Sequence, residues 1–481
     1  MTISEYFLLS LLYFWASSTA LSLGIGYYTV YRPVIAGFLT GLILGDPFLG
    51  MLTGAVVNII YIDFVSTGGS FKGDQCLTAM IAASVAILFK LSPVEASAAA
   101  YPFGFLGILI WKYRLKINSV FVKRYESKFE EKNGGKGPDI SVYDGLYPQL
   151  LLYVMSTAVI FTALLIFMIF KDFIFSIKNA LLLTGFFLVF TSTWNILYKI
   201  SSIKSILIFV ASFFITLFIN PNSYFIFIIV VGIILILSNK SLAPYNYNNK
   251  NDGIISKKDL MYSWFIWKNF SHSCYSYERL QGMAFAHSMK NIFKKLYKSN
   301  DEIAEAIHRH SEFFNTEPNM GTPILGYIIS LEELKAQNKG ESNIMYIKKG
   351  MMGIAAGLGD SYTQVVLTPL FISMSIMLTL DKKFILSLIP IIILALTILV
   401  ISYTGFMKGY YEGRECLIER INIIKNSKVK LNFPYIFSGI LGVSLGKLLM
   451  LNDISKEFTV YASVGMISMV YTIVKNKRSK R

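Results

Sequence analysis

One apolar stretch, AVVNIIYIDFV, carries Asn58 and Asp63 and is followed closely by Ser66 and Asp74. Ionisable groups in such a run are expensive to hold, and they usually face a cavity or a partner. Amides, hydroxyls and carboxylates suit a sugar, each of whose hydroxyls both donates and accepts hydrogen bonds. Asn58, Ser66 and Asp74 are therefore candidates to line a hydrophilic sugar site. The competing reading leaves Asp63 and Asp74 at a membrane interface. A second carboxylate pair, Glu332-Glu333, follows the apolar turn Pro323 to Leu331. It could bind sugar or act as a base, or it could be solvated charge on a helix.

Other chemistries find little support. The four histidines lie between His272 and His310 at spacings too irregular for a metal site. His310 shares an apolar stripe with Ile303, Ile307 and Phe314, which reads as structural rather than catalytic. Cys76, Cys274 and Cys416 are far apart and form no metal spacing. The segment GMMGIAAGLGD ending at Asp360 is no nucleotide loop, since no Lys-Ser/Thr follows; it reads as a backbone bend. No metal, cofactor or catalytic residue is expected.

The elements that must hold these groups are membrane helices. Of 481 residues, 54% are hydrophobic and 15% charged, with a mean hydropathy of +0.54. That composition excludes an ordinary soluble domain. The net charge of +16 is concentrated in short segments between apolar runs, a loop from Lys112 to Lys136 and a tail from Lys475 to Arg481 among them. The positive-inside rule makes both cytoplasmic and argues against nucleic acid as the partner. The first 30 residues, lacking an early Lys or Arg, do not read as a signal peptide.

Apolar runs fall near residues 6–30, 33–62, 76–111, 148–170, 179–197, 204–219 and 223–238, then near 350–378, 384–406, 433–450 and 456–474. Arg32-Pro33, Gly37, Gly41 and Gly45-Asp46-Pro47 interrupt the second run. Interrupted helices at membrane depth point to a transporter's binding site. The polar stretch 240–258 reads as a linker. It divides a membrane module, 1–239, from a module 259–481 whose first part, 259–349, predicts cytoplasmic amphipathic helices and whose second, 350–481, returns to membrane character.

The motifs resemble one family, the mannose-type sugar phosphotransferase permeases. Residues 1–240 resemble the C subunit (IIC) through Arg32 to Gly37, Leu44-Gly45-Asp46 and the Asn58 to Asp74 segment. Residues 258–481 resemble the D subunit (IID) through Tyr277 to Gly282, the run RHSEFFNTEPNMGTPILG from Arg309, Leu331-Glu332-Glu333 and Gly357 to Asp360. The chain thus looks like a natural fusion of both.

The resemblance implies an all-α polytopic protein of two structurally related modules with re-entrant helices. It implies a homotrimer in the bacterial cytoplasmic (inner) membrane. It also implies cytoplasmic IIA and IIB partners, the latter carrying the phosphohistidine that phosphorylates the sugar; lipid is the remaining partner. It adds Asn315, Asp360 and Gln364 to the candidate substrate residues, with Thr316 beside them. Asn58 stands where mannose-type C subunits tend to carry Glu, and Ser361-Tyr362-Thr363-Gln364 replaces a Trp-containing pattern, which leans the expected sugar toward an amino sugar. A phosphate-independent transporter and a sugar-binding receptor are the alternatives.

Overall fold

The computed structural model describes residues 1–18, 22–63, 73–130, 146–200, 202–238, 253–272, 275–339 and 343–451. Ser66, Cys274, the apolar run 456–474, the basic tail and most of the 240–258 stretch lie outside the described residues.

The described residues are almost entirely helical. The first half supplies α1 (Ile3–Ser18), α2 (Pro33–Leu44), α3 (Pro47–Ile60), α4 (Gln75–Phe89), α5 (Pro93–Ala100), α6 (Gly104–Glu130), α7 (Leu146–Ile169), α8 (Lys171–Ser176), α9 (Lys178–Ile200), α10 (Ile203–Ile219) and α11 (Ser223–Ser238). The second half supplies α12 (Lys257–Phe270), α13 (Gly282–Leu296), α14 (Asn300–His310), α15 (Thr322–Ala336), α16 (Ile344–Gly359), α17 (Thr368–Leu380), α18 (Phe384–Glu412), α19 (Arg414–Lys425) and α20 (Lys428–Leu451). Among the described residues, six stretches are long and apolar enough to cross a membrane: Pro93–Arg124, Leu150–Ile169, Lys178–Ile200, Ile344–Leu380, Phe384–Glu412 and Lys428–Leu451. No helix between 253 and 339 joins them.

The interruptions read from sequence are helix ends with local causes. Pro33 opens α2, where its missing N–H costs no helical bond. Gly45 closes α2 in the left-handed region at φ 89°. Asp46 then caps α3, its carboxylate accepting from Leu49 N at 3.0 Å, and Pro47 starts the helix. The hairpin so formed packs backbone on backbone. A Cβ on Gly37 would lie 2.2 Å from the Gly50 carbonyl oxygen, and one on Gly54 2.1 Å from that of Pro33. The spacings Gly37-x3-Gly41 and Gly50-x3-Gly54 carry this contact. A similar approach joins α15 to α18, where a Cβ on Gly326 would meet the Phe406 carbonyl oxygen at 2.1 Å.

Two expectations are corrected. The segment Lys112 to Lys136 is no loop through Glu130, because α6 carries the chain on as helix. Between Gly107 and Asn133 there is neither glycine nor proline to stop it, and Lys, Arg and Glu favour helix. Gly359-Asp360 does not break the helix. Both residues keep right-handed helical backbone, and a π-helical segment, Asp360–Leu367, joins α16 to α17.

Packing crosses the midpoint of the chain. One apolar core joins α1–α5 to α17, α20 and the first part of α18. A second, smaller core gathers α12–α15 with Phe406, Met407 and Tyr410 of α18. Glycines again permit the closest contact: a Cβ on Gly442 of α20 would lie 2.4 Å from the Phe209 carbonyl oxygen of α10.

Candidate functional site

A cavity of about 250 Å³ opens between the two halves. The first half lines it with Tyr13, Tyr28, Tyr31, Asp74, Trp111 and Arg114. The second half brings His272, Gln281, Asn315, Thr316, Glu317 and, from the α16–α17 helix, Asp360 and Gln364. Aromatic faces with interspersed amides, hydroxyls and carboxylates are what a small polar ligand requires.

Each polar group has a local reason for its place. Asp74 is the N-cap of α4, its Oδ1 accepting from Cys76 N and Leu77 N at 3.0 Å. Its other oxygen accepts from the Tyr13 hydroxyl at 2.7 Å. Gly107 makes room for it, since a Cβ there would lie 2.2 Å from that of Asp74. Across the cavity, the Tyr28 hydroxyl donates to Glu317 Oε1 at 2.8 Å and accepts from Gln364 Nε2 at 2.9 Å. One tyrosine of the first half thereby ties together two elements of the second. Glu317 is held further by Asn319 N at 3.1 Å, Met320 N at 2.6 Å and Asn319 Nδ2 at 2.8 Å. Gln281 grips Thr316 with both ends of its amide, donating to its carbonyl at 2.9 Å and accepting from its N–H at 3.0 Å.

Arg114 bridges α1 and the second half. Its guanidinium donates to the carbonyls of Ser17 (2.8 Å), Ser18 (2.9 Å) and His272 (2.8 Å). Asn118, one turn on, donates to the Tyr275 carbonyl at 2.9 Å, and Glu126 pairs with Arg279 at 2.7 Å. His272 stays neutral beside this cation: burial, then the Arg114 charge, push its imidazolium down to about 3.

Lys268 lies behind Gly24 and donates through Nζ to Asn319 Oδ1. Burial pulls its ammonium down to about 7, against the attraction of Glu317. Between pH 7 and 10.5 the unfolded chain holds a proton that the folded chain has released, so stability rises with pH in that window. Raising the pH from 7 to 9 should add about 1.4 kcal/mol per unit. Thermal unfolding in detergent should show this slope, and Lys268→Met should remove it. An unchanged slope in the variant would exclude Lys268 as its origin.

Of the residues expected from sequence, Asp74, Asn315, Asp360 and Gln364 line the cavity. Asn315 accepts there from the Tyr275 hydroxyl at 3.0 Å. Asn58, Glu332 and Glu333 lie elsewhere. Asn58 is buried at the α2–α3 contact, its carbonyl accepting from Val34 N at 3.3 Å. Glu333 accepts from Ile255 N (2.9 Å) and the Tyr410 hydroxyl (2.5 Å), tying the residues ahead of α12 to α18. Glu332 is fully buried and accepts from Arg309 at 3.0 Å, from His310 Nε2 at 2.8 Å and from the Tyr297 hydroxyl. His310 is packed between Phe285 and Phe293. The cavity residues that sequence reading missed are Tyr13, Tyr28, Arg114, Gln281 and Glu317. The ionisable Glu317, between Thr316 and Pro318 in an aromatic run, was the available signal.

Comparisons with known proteins match both halves. The family model for the PTS system sorbose-specific IIC component matches residues 3–237. The model for the PTS system mannose/fructose/sorbose family IID component matches residues 254–444. The fructose permease IID component of Bacillus subtilis is 34% identical over 165 residues, 34% of this chain and 60% of that protein. The mannose-specific EIID component of Escherichia coli K12 is 34% identical over 152 residues, 31% of this chain and 54% of that protein. For the first half, the sorbose-specific EIIC component of Lacticaseibacillus casei is 24% identical over 123 residues, 26% of this chain and 44% of that protein. The chain thus spans about half the length of the curated relatives it matches. Among solved structures, a cryo-EM complex of the mannose transporter ManYZ with microcin E492 shares 28% identity, covering 42% of this chain and 70% of that one at a TM-score of 0.32.

Proposed function

Because the chain belongs to the mannose/fructose/sorbose family of phosphotransferase-system membrane components, carrying its IIC and IID domains in one polypeptide, we propose that it binds a hexose or hexosamine between its halves and carries it across the bacterial cytoplasmic membrane. A separate IIB protein then phosphorylates the sugar, with IIA upstream of it. The observation that carries this reading is the cavity: groups from both halves converge on it, and Asp74, Glu317, Asn315 and Gln364 offer the mixed donors and acceptors that sugar hydroxyls need. This chain's part in the phosphoryl transfer is to position the acceptor hydroxyl.

Four finer points belong to the same reading. The α2–α3 hairpin is re-entrant, since helices of 12 and 14 residues reach only about 18 and 21 Å into a hydrocarbon core of about 30 Å. Helices α12–α14 sit as amphipathic elements on the cytoplasmic side, facing IIB. Domain boundaries follow the linker 240–258, and three chains assemble as a trimer.

The test uses the purified chain in lipid vesicles with labelled hexoses. Internal sugar phosphate is expected only when IIB and its phosphoryl donors are supplied. Accumulation of unmodified sugar without any phosphocarrier would overturn the reading in favour of a phosphate-independent transporter.

A further inference from the structure

Behind the cavity wall, a cation points inward from a helix that does not reach the cavity. Among the described residues, no member of α19 lines it. The inward face of α19 carries Cys416, Leu417 and Ile424, all buried. Between them Arg420 leaves the helix through a notch in α18. A Cβ on Gly405 would lie 2.2 Å from its Nη2 and 2.5 Å from its Cζ, so the missing side chain is what opens the passage. Beyond the notch, Nη2 donates to the Ile401 carbonyl at 2.7 Å and Nη1 to Met320 Sδ at 3.6 Å.

Met320 belongs to the turn that presents Glu317 to the cavity. Gly321 N closes that turn on the Glu317 carbonyl at 2.8 Å. One oxygen of the Glu317 carboxylate accepts from the Asn319 and Met320 N–H groups, and the other from the Tyr28 hydroxyl and the Asn319 amide. All four partners are neutral donors, and among the described residues no cation stands within ion-pair distance of this carboxylate. Arg420 and Lys268 both lie within its Coulombic reach, and Asp360 opposes them. Lys268 is bonded to Asn319. Arg420 gives a donor to a thioether, a weak acceptor, so its placement serves its charge more than that bond. The same turn is pinned to α18 at the next carbonyl, where Thr322 Oγ1 donates to Ser402 at 2.8 Å.

Resting on the sugar-permease reading above, we propose that Arg420 is a positioning residue for the sugar. It does not touch the ligand. It fixes the turn through Met320 and supplies the positive charge against which Glu317 is held in the cavity wall. Because the Glu317 carboxylate also holds Tyr28, a displacement of Arg420 reaches the wall contributed by the first half as well. A helix on the outside of α18 thereby sets the affinity of a site it does not line.

The experiment measures binding of labelled hexoses and N-acetylhexosamines to the full chain in vesicles and follows the tightest of them through a set of variants. Arg420→Met should weaken binding by about fivefold or more, the scale of coupling between residues of one network. Arg420→Lys keeps the charge and should recover most of that loss. Gly405→Ala should reproduce the loss with Arg420 intact, because the new methyl group meets only the flexible end of the arginine and pushes it from the notch. In a Glu317→Gln background, Arg420→Met should change affinity by less than about twofold, since the carboxylate it acts on is gone. Unfolding midpoints in detergent, measured in parallel, separate loss of binding from loss of fold. Native affinity in folded Arg420→Met or Gly405→Ala overturns the proposal. So do equal losses with Met and Lys, or with and without the Glu317 carboxylate, which make Arg420 a packing residue. Failure of every sugar to bind the native chain overturns the permease reading, and the role of Arg420 with it.

Discussion

Glu332→Ala should lower the stability of the second half by about 3–5 kcal/mol, the range seen when one partner of a buried charge pair is removed. The carboxylate is fully buried and collects Arg309, His310 and the Tyr297 hydroxyl from two other helical segments. Without it Arg309 has only its partly exposed i−4 pairing with Glu305, at 3.5 Å. His310, fully buried between two phenylalanine rings, keeps no side-chain hydrogen-bond partner among the described residues. The same cluster sets the response to acid. Burial raises the Glu332 carboxyl, but the His310 hydrogen bond and charge, then Arg309 and Tyr297, outweigh it and hold the group down at about 2. Burial likewise pushes the His310 imidazolium down to about 4.

The signs agree. As pH falls from 6.5 to 4 the unfolded chain takes up a histidine proton that the folded chain refuses. From 4.5 to 2 the same holds for the glutamate proton. Stability from this cluster is therefore complete above pH 6.5 and drains away toward pH 2. Thermal unfolding in detergent across pH 3 to 8 should show this loss, with the low-pH limb flattened in Glu332→Gln. An alanine variant within 1 kcal/mol of the native chain would show that the cluster is not what holds α14 to α15.

Gly54→Val should cost 3 kcal/mol or more, beyond the roughly 1–3 kcal/mol of ordinary overpacking. The obstacle is backbone, not a side chain that can swing away: the added Cβ would start 2.1 Å from the Pro33 carbonyl oxygen. Relief requires α2 and α3 to part along their length, because Gly37, Gly41 and Gly50 make the same kind of contact at 2.2–2.3 Å. Gly350→Ala is the control. That glycine lies within α16 with open space around its missing Cβ, so the change should gain about 0.5–1 kcal/mol of helix stability. Yield and unfolding midpoint of the two variants in detergent provide the comparison. Equal midpoints would mean that the hairpin tolerates separation.

Local grammar was legible in the sequence where one residue acts on its own backbone. Proline at a first helical turn, a left-handed glycine and a capping aspartate act over three or four positions, so the α2–α3 break could be read directly. Gly359-Asp360 shares two of those letters but no proline follows, and the chain stays helical there. The cavity was half legible. Asp74 stands out as a carboxylate beside an apolar run, whereas Asn315, Asp360 and Gln364 are reached through the family resemblance. Tyr28 and Arg114 do not stand out: a tyrosine near an apolar run and a basic residue flanking a span have ready explanations, and their partners lie far away in sequence. Adjacency also misled. Glu332 and Glu333 look like a pair, yet neighbours on a helix point about 100° apart, and these two serve different elements.

The clamp made by Arg114, Asn118 and Glu126 joins two halves that are also joined covalently. A tether turns their association into an intramolecular event at an effective concentration that reaches millimolar for short linkers. The cavity then stays assembled at any expression level. Every ribosome that finishes this chain delivers both walls of the cavity in equal number, so neither half can accumulate in the membrane with its carboxylates and tyrosines uncovered.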